Sequence, residues 1–127
     1  MIRFTGIALI TADVGRLVAF YREVLQVDFT GDALHAEAQV DGAYLAIYAI
    51  GAAREQLAWQ IEAGRGGTVT LMFQVEDVDK EYARLQSFVP TFLTVPKTYP
   101  WGARAFHFRD PDGNIVDFVT PPPGASD

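Results

Sequence analysis

The sequence predicts an α+β domain whose plan is written twice: strand, helix and three further strands, then the same order again. Three observations predict it. Two amphipathic helical patterns open on a capping aspartate, at Asp13-Val14 and Asp77-Val78, 64 positions apart. Each half then closes on a hairpin signal, Asp41-Gly42 in the first and Asp110-Pro111-Asp112-Gly113-Asn114 in the second. Finally, 127 residues at 50% hydrophobic content suffice for one core or two fused half-cores, not for two independent domains.

Residues 2–10 read as a strand buried on both faces, because Ile2, Phe4, Ile7, Leu9 and Ile10 ignore strict alternation. Asp13 caps a helix over 14–25, in which Val14, Leu17, Val18, Tyr21, Val24 and Leu25 recur at helical spacing. A short strand at 27–30 ends at Gly31-Asp32. Strands 34–40 and 43–50 flank the Asp41-Gly42 turn, which pairs Val40 with Ala43 and fixes the register along both. One face then carries Ala36, Ala38, Val40, Ala43, Leu45 and Ile47. The other carries His35, Glu37, Gln39, Tyr44, Ala46 and Tyr48, polar and aromatic groups that suit solvent or a ligand.

A helical pattern at 52–63, with Leu57, Ile61 and Trp59 on one side, breaks at Gly64-Arg65-Gly66-Gly67, the one plausible linker. The second half begins with a strand at 68–75, Val69, Leu71, Phe73 and Val75 on one face and Thr68, Thr70, Met72 and Gln74 on the other. A helix at about 78–88 buries Val78, Tyr82 and Leu85 and stops before Pro90. Residues 91–95 read as a strand and 96–102 as a Pro- and aromatic-rich loop. Strands 103–109 and 115–120 form the closing hairpin, and Pro121-Pro122-Pro123-Gly124 forbids further pairing. The organisation is thus module one at about 1–50, a connector at 51–67, module two at about 68–120 and a tail at 121–127.

With no Cys, the chain has no disulfides, thiolate metal sites or thiol nucleophiles. The net charge of −6 argues against a general affinity for nucleic acid or anionic membrane. No apolar run approaches the length of a membrane span and no leader pattern opens the chain, so a cytoplasmic protein is expected. A mean hydropathy of +0.10 places apolar groups in excess of what a small core needs, suiting a ligand-lined face or a subunit seam.

Three passages, in order, carry a resemblance. TADVGRLVAFYREVLQV resembles the opening strand-to-helix passage of the vicinal oxygen chelate superfamily, which includes glyoxalases, bleomycin resistance proteins and extradiol dioxygenases. VEDVDKEYARL is similar to its second helix, and PWGARAFHFRDPDGNIVDFV to its closing hairpin. The resemblance implies two βαβββ modules forming a curved, mostly antiparallel sheet around a central cleft, commonly in a homodimer. It also implies a divalent metal held by His and Glu side chains from both modules. Carried over by motif, those ligand positions fall on Gly6, Ala46, Thr70 and Asp117. Gly6 and Ala46 offer no donor, Thr70 is a poor one, and one carboxylate does not make a site. No metal is therefore expected at the usual place. The alternative is a divalent metal at a non-standard site drawn from His35, Glu37, His107 and Asp117.

The predicted partner is a small organic ligand. Its candidate binding residues are His35, Glu37, Gln39, Tyr44, Tyr48, Thr70, Met72, Trp101 and Arg109. Aromatic rings with polar tips contact planar ligands and orient them. Trp101 sits between Pro100 and Gly102, where a core role is least natural, and Arg109 is placed to meet Asp112 or an anionic group. His107 and Asp117 fall opposite each other on the closing hairpin, either as an acid–base pair or as a plain hydrogen-bonded pair. With the usual metal ligands missing, the resemblance implies a metal-independent small-molecule-binding protein of the drug-sequestering, bleomycin-resistance kind. Its rivals are a lyase, isomerase or dioxygenase relative using His107 and Asp117 or a displaced metal, and a dimerisation module without a ligand.

Overall fold

The computed structural model describes residues 1–57 and 66–124. Two units, Met1–Arg65 and Gly66–Asp127, each carry their own sheet. In the first, β1 (Gly6–Thr11), α1 (Val14–Leu25), β2 (Thr30–Gly31), β3 (His35–Val40), β4 (Ala43–Ala49) and α2 (Ile50–Leu57) follow in order. The second runs β5 (Thr70–Gln74), α3 (Val78–Leu85), β6 (Lys97–Thr98), β7 (Arg104–Arg109) and β8 (Ile115–Thr120). Both sheets are four-stranded and mixed, ordered β1-β4-β3-β2 and β5-β8-β7-β6. In each, the first strand runs parallel to the last and the remaining pairs are antiparallel.

Helices α1 and α3 start where the sequence places them. Asp13 and Asp77 each accept from the backbone N–H three residues on, Arg16 and Lys80, at 3.1 Å, satisfying an orphan donor of the first turn. Thr11 Oγ1 accepts the Asp13 N–H at 3.1 Å and is fully buried, so the strand end and the cap are tied together. Helix α1 buries Val14, Leu17, Tyr21 and Val24, and α3 buries Val78 and Leu85. Under α3 lie the rings of Phe106 and Phe108, both fully buried, with Phe118 edge-on to each.

The Asp41-Gly42 hairpin has positive φ at both turn residues, +50° and +84°, as a type I′ turn requires, and pairs Val40 with Ala43. Ala36, Ala38, Leu45 and Ile47 are buried beneath it. In the closing hairpin the Gly113 N–H donates to the Asp110 carbonyl at 3.0 Å and the Asp110 N–H to the Asn114 carbonyl at 2.9 Å, with Gly113 at φ +85°. That is a tight turn followed by a glycine bulge.

Several sequence-based expectations shift. Strand β1 starts at Gly6, and Ile2 and Phe4 are exposed rather than buried, because no strand among the described residues lies beside them to cover them. Within β1, Leu9 is buried and Ala8 exposed, so the strand has an open face. The strand expected at 27–30 is the pair Thr30–Gly31, and Ile50 opens α2 instead of ending β4. Helix α3 ends at Leu85, short of Phe88. The apolar side proposed for the connector falls on Leu57, Trp59 and Ile61, whose side chains lie outside the described residues. The strand expected at 91–95 is replaced by a single bridge, Phe92 to Phe108, and by β6 inside the stretch read as a loop.

The cause of that last shift is a β-bulge. The N–H groups of Leu93 and Thr94 both donate to the His107 carbonyl, at 2.9 and 3.2 Å. Between the Phe92–Phe108 bridge and the Lys97–Ala105 pair, five residue steps on one side face three on the other. The surplus bends the segment and re-aims Thr94.

Candidate functional site

Each sheet has one face packed on its helices and one face open, and the sequence-predicted ligand residues other than Trp101 fall on the open faces. On unit 1, cross-strand rows run Gly6–Tyr44–Gln39, Ala8–Ala46–Glu37 and Ile10–Tyr48–His35. Asp32 sets the start of β3: its Oδ1 accepts the N–H groups of Leu34 and His35 at 2.9 and 3.1 Å, which hold its carboxyl below the usual aspartate range. His35 then meets Tyr48 edge-to-face, ring centres 5.6 Å apart.

On unit 2 the rows are Thr70–Ile115–Arg109 and Met72–Asp117–His107. Thr70 and Met72 are exposed on the β5 edge. Asp117 is only 7% exposed although it lies on the open face. Its Oδ1 is shut off from solvent, has no hydrogen-bond partner, and stands 3.6 Å from His107 Nε2. That distance is too long for the plain hydrogen bond the sequence suggested. Burial pushes the Asp117 carboxyl above the ordinary aspartate value, and the neighbouring imidazole offsets only part of this.

The other ring nitrogen of His107 is held by a residue the sequence did not single out. Thr94 Oγ1 accepts the His107 backbone N–H at 2.8 Å and lies 2.9 Å from Nδ1. The bulge makes this possible, since a regular strand would offer His107 a carbonyl, not a hydroxyl. The only hint in the sequence was a threonine in a segment expected to run beside the closing hairpin.

Three further side chains of unit 2 have partners of their own. The Arg109 guanidinium donates from Nη1 to the Gly113 carbonyl at 2.8 Å, bracing the turn instead of meeting Asp112. Trp101, 68% exposed, stacks on Tyr99 at 5.0 Å in the turn between β6 and β7, and Lys97 lies 5.2 Å from the Tyr99 ring. Arg104 forms a two-bond pair with Asp79 at 2.8 Å and ties β7 to α3.

The four positions that the resemblance assigns to a divalent metal do not fit one. A Cβ at Gly6 would collide with the Tyr44 carbonyl oxygen and lie 2.8 Å from the Tyr44 backbone nitrogen. Ala46 has no donor, Thr70 offers a neutral hydroxyl, and Asp117 stands as the one carboxylate. Among the described residues, no three His, Asp or Glu side chains gather closely enough to hold a metal ion.

The fold is shared with solved structures of other proteins. A glyoxalase/bleomycin resistance protein/dioxygenase from Nocardioides superposes with a TM-score of 0.83 at 25% identity, over 99% of this chain and 87% of that one. A glyoxalase-related enzyme from Fulvimarina pelagi gives 0.82 at 21% identity, covering 94% and 88%. The lactoylglutathione lyase of Agrobacterium tumefaciens gives 0.71 at 20%, covering 93% and 92%. Among curated sequences, the uncharacterized protein YraH of Bacillus subtilis is 44% identical over 48 residues, a stretch spanning 37% of this chain and 38% of that protein. Residues 3–118 match the family model itself, and the chain belongs to the Glyoxalase/Bleomycin resistance protein/Dioxygenase superfamily.

Proposed function

We propose that the protein binds a small organic molecule on its open sheet faces, without the divalent metal that the resemblance implies, as a drug-sequestering member of its superfamily. The observation that carries the reading is Gly6, where the Tyr44 carbonyl fills the space a metal-ligating side chain would need. The faces themselves support it, with His35, Tyr44 and Tyr48 on unit 1 and Met72, His107 and Asp117 on unit 2. Half-polar, half-aromatic surfaces suit planar ligands with a few polar groups. A net charge of −6 makes cationic planar drugs the first class to test.

A thermal-shift screen of planar drugs and metabolites on untagged protein tests the reading. At least one compound should raise the melting temperature in a dose-dependent way, and uniformly flat traces would overturn it. Elemental analysis of the same protein should find metal well below one equivalent per chain; stoichiometric Ni, Zn, Fe or Mn would defeat metal independence. The assembly proposed with it is a homodimer, read by light scattering as twice the 14.0 kDa chain mass.

A second reading is acid–base catalysis at His107 and Asp117, favoured by a carboxyl that burial biases toward its protonated form beside an imidazole. It predicts that His107→Ala or Asp117→Ala abolishes any turnover found in a substrate screen, and retained turnover would exclude it.

A further inference from the structure

The chain contains two Asp-Gly steps, Asp41-Gly42 and Asp112-Gly113, and both sit in hairpin turns. In such a step the glycine backbone nitrogen can attack the aspartate side-chain carbonyl carbon, because no Cβ obstructs the approach. Whether it does so depends on how firmly the turn holds the two groups. The fold treats the two steps in opposite ways.

At the β7–β8 turn the reacting groups are held. The Gly113 N–H, the nucleophile, donates to the Asp110 carbonyl at 3.0 Å. The Asp112 N–H donates to Asp110 Oδ1 at 2.8 Å, and Arg109 Nη1 braces the Gly113 carbonyl at 2.8 Å. Asp112 and Gly113 are both half-buried, and Asp112 Oδ2 is shut off from solvent. The β3–β4 turn has none of this. Asp41 and Gly42 are exposed, and among the described residues no hydrogen bond holds the Gly42 N–H or the Asp41 carboxyl. A Cβ built at Gly42 would meet no atom within 4 Å, so the space around the nucleophile is open. Asp41 also has φ +50°, a left-handed conformation that an L side chain adopts at a cost, and opening the turn relieves it.

We propose that Asp41 is a site of spontaneous isoaspartate formation, and that Asp112 is protected from the same reaction by its turn. The Gly42 nitrogen bonds to Asp41 Cγ, its proton and the carboxyl hydroxyl leave as water, and a succinimide ring closes. Water then adds back. Breaking the ring at Cγ restores aspartate. Breaking it at the main-chain carbonyl carbon leaves the chain running through Cβ, with that carbonyl now a free carboxylate. Mass is unchanged, and no oxidant or reductant takes part. The longer main chain no longer fits a two-residue turn, so the Val40–Ala43 pair loses its register. The neighbouring Gly6–Tyr44–Gln39 row of the open face is disturbed with it.

The test ages the protein in neutral buffer and fragments its peptides by electron transfer, which distinguishes isoaspartate from aspartate through cleavage at Cα–Cβ. Isoaspartate should accumulate at least about tenfold faster at 41 than at 112, the factor expected when hydrogen bonds must break first at one site only. In guanidinium, with both turns unfolded, the two rates should converge. Asp41→Glu, whose ring would be one atom larger, should stay unmodified at that position. In the isomerised fraction, amide exchange at Val40 and Ala43 should quicken while Phe106 keeps its protection. Equal ageing of the two sites in the folded protein, faster ageing of Asp112, or no ageing at Asp41 overturns the proposal. So does a tenfold preference that persists in guanidinium, since the turns would then not be its cause. Unchanged exchange at Val40 and Ala43 overturns the loss of pairing.

Discussion

Asp117 is a charged group held where charge is costly. Because burial keeps its proton on to higher pH in the folded chain, the native state binds more protons than the unfolded one just above the ordinary aspartate value of 3.8. Stability contributed by this residue is therefore fullest in acid and falls as pH rises through that window. Asp117→Asn removes the charge, so its melting temperature relative to the parent should improve on going from below pH 3.8 to neutral pH. Thermal melts at the two pH values check this, and a relative change of the opposite sign would contradict the burial argument. Residue-level chemistry was only half legible in the sequence. The cross-strand meeting of His107 with Asp117 followed from the hairpin turn alone. The 3.6 Å gap did not, and neither did Thr94, because both depend on backbone detail that residue types do not encode.

At the scale of elements, the legible features were those with local causes. Helix α1 spans Val14–Leu25 as read, since a capping aspartate and a helical apolar stripe are properties of adjacent residues. Hairpin β3–β4 keeps the expected register for the same reason, its turn residues taking positive φ. Segment 91–98 was misread because a bulge is settled by the partner strand: β7 is already fixed by the Phe106 and Phe108 rings, and the incoming segment must adapt to it. Two stability predictions belong here. Asp13→Ala should cost about 1 kcal/mol in urea unfolding, with Asp13→Asn close to the parent, since the cap needs only a side-chain acceptor. Phe106→Ala should cost roughly 3–5 kcal/mol, because that fully buried ring meets Tyr82, Phe108 and Phe118 and the space it leaves cannot be refilled by them all.

Across the whole molecule the internal repeat proves to be one of register as well as order. Ala8, Ala46 and Glu37 form a row on the first sheet, and Met72, Asp117 and His107 form the corresponding row on the second. Corresponding positions thus carry different chemistry: only the second row pairs an imidazole with a carboxylate. The repeat was readable from the spacing of caps and turns, whereas this division of labour needed the strand pairings. No helix among the described residues is long and apolar enough to cross a membrane. With a net charge of −6, the protein should pass unretained through a heparin column at about 0.15 M salt, and retention there would reveal a basic patch that the overall charge conceals.

The close approach of the Tyr44 carbonyl to Gly6 also limits which substitutions the first strand tolerates: any side chain there would have to share its volume with a neighbouring main chain. Gly6→His should therefore lower stability instead of restoring a ligand, with no gain in zinc or nickel uptake by calorimetry. A side chain at this position would require β4 to shift first, so Gly6 and the Tyr44 backbone can change only together.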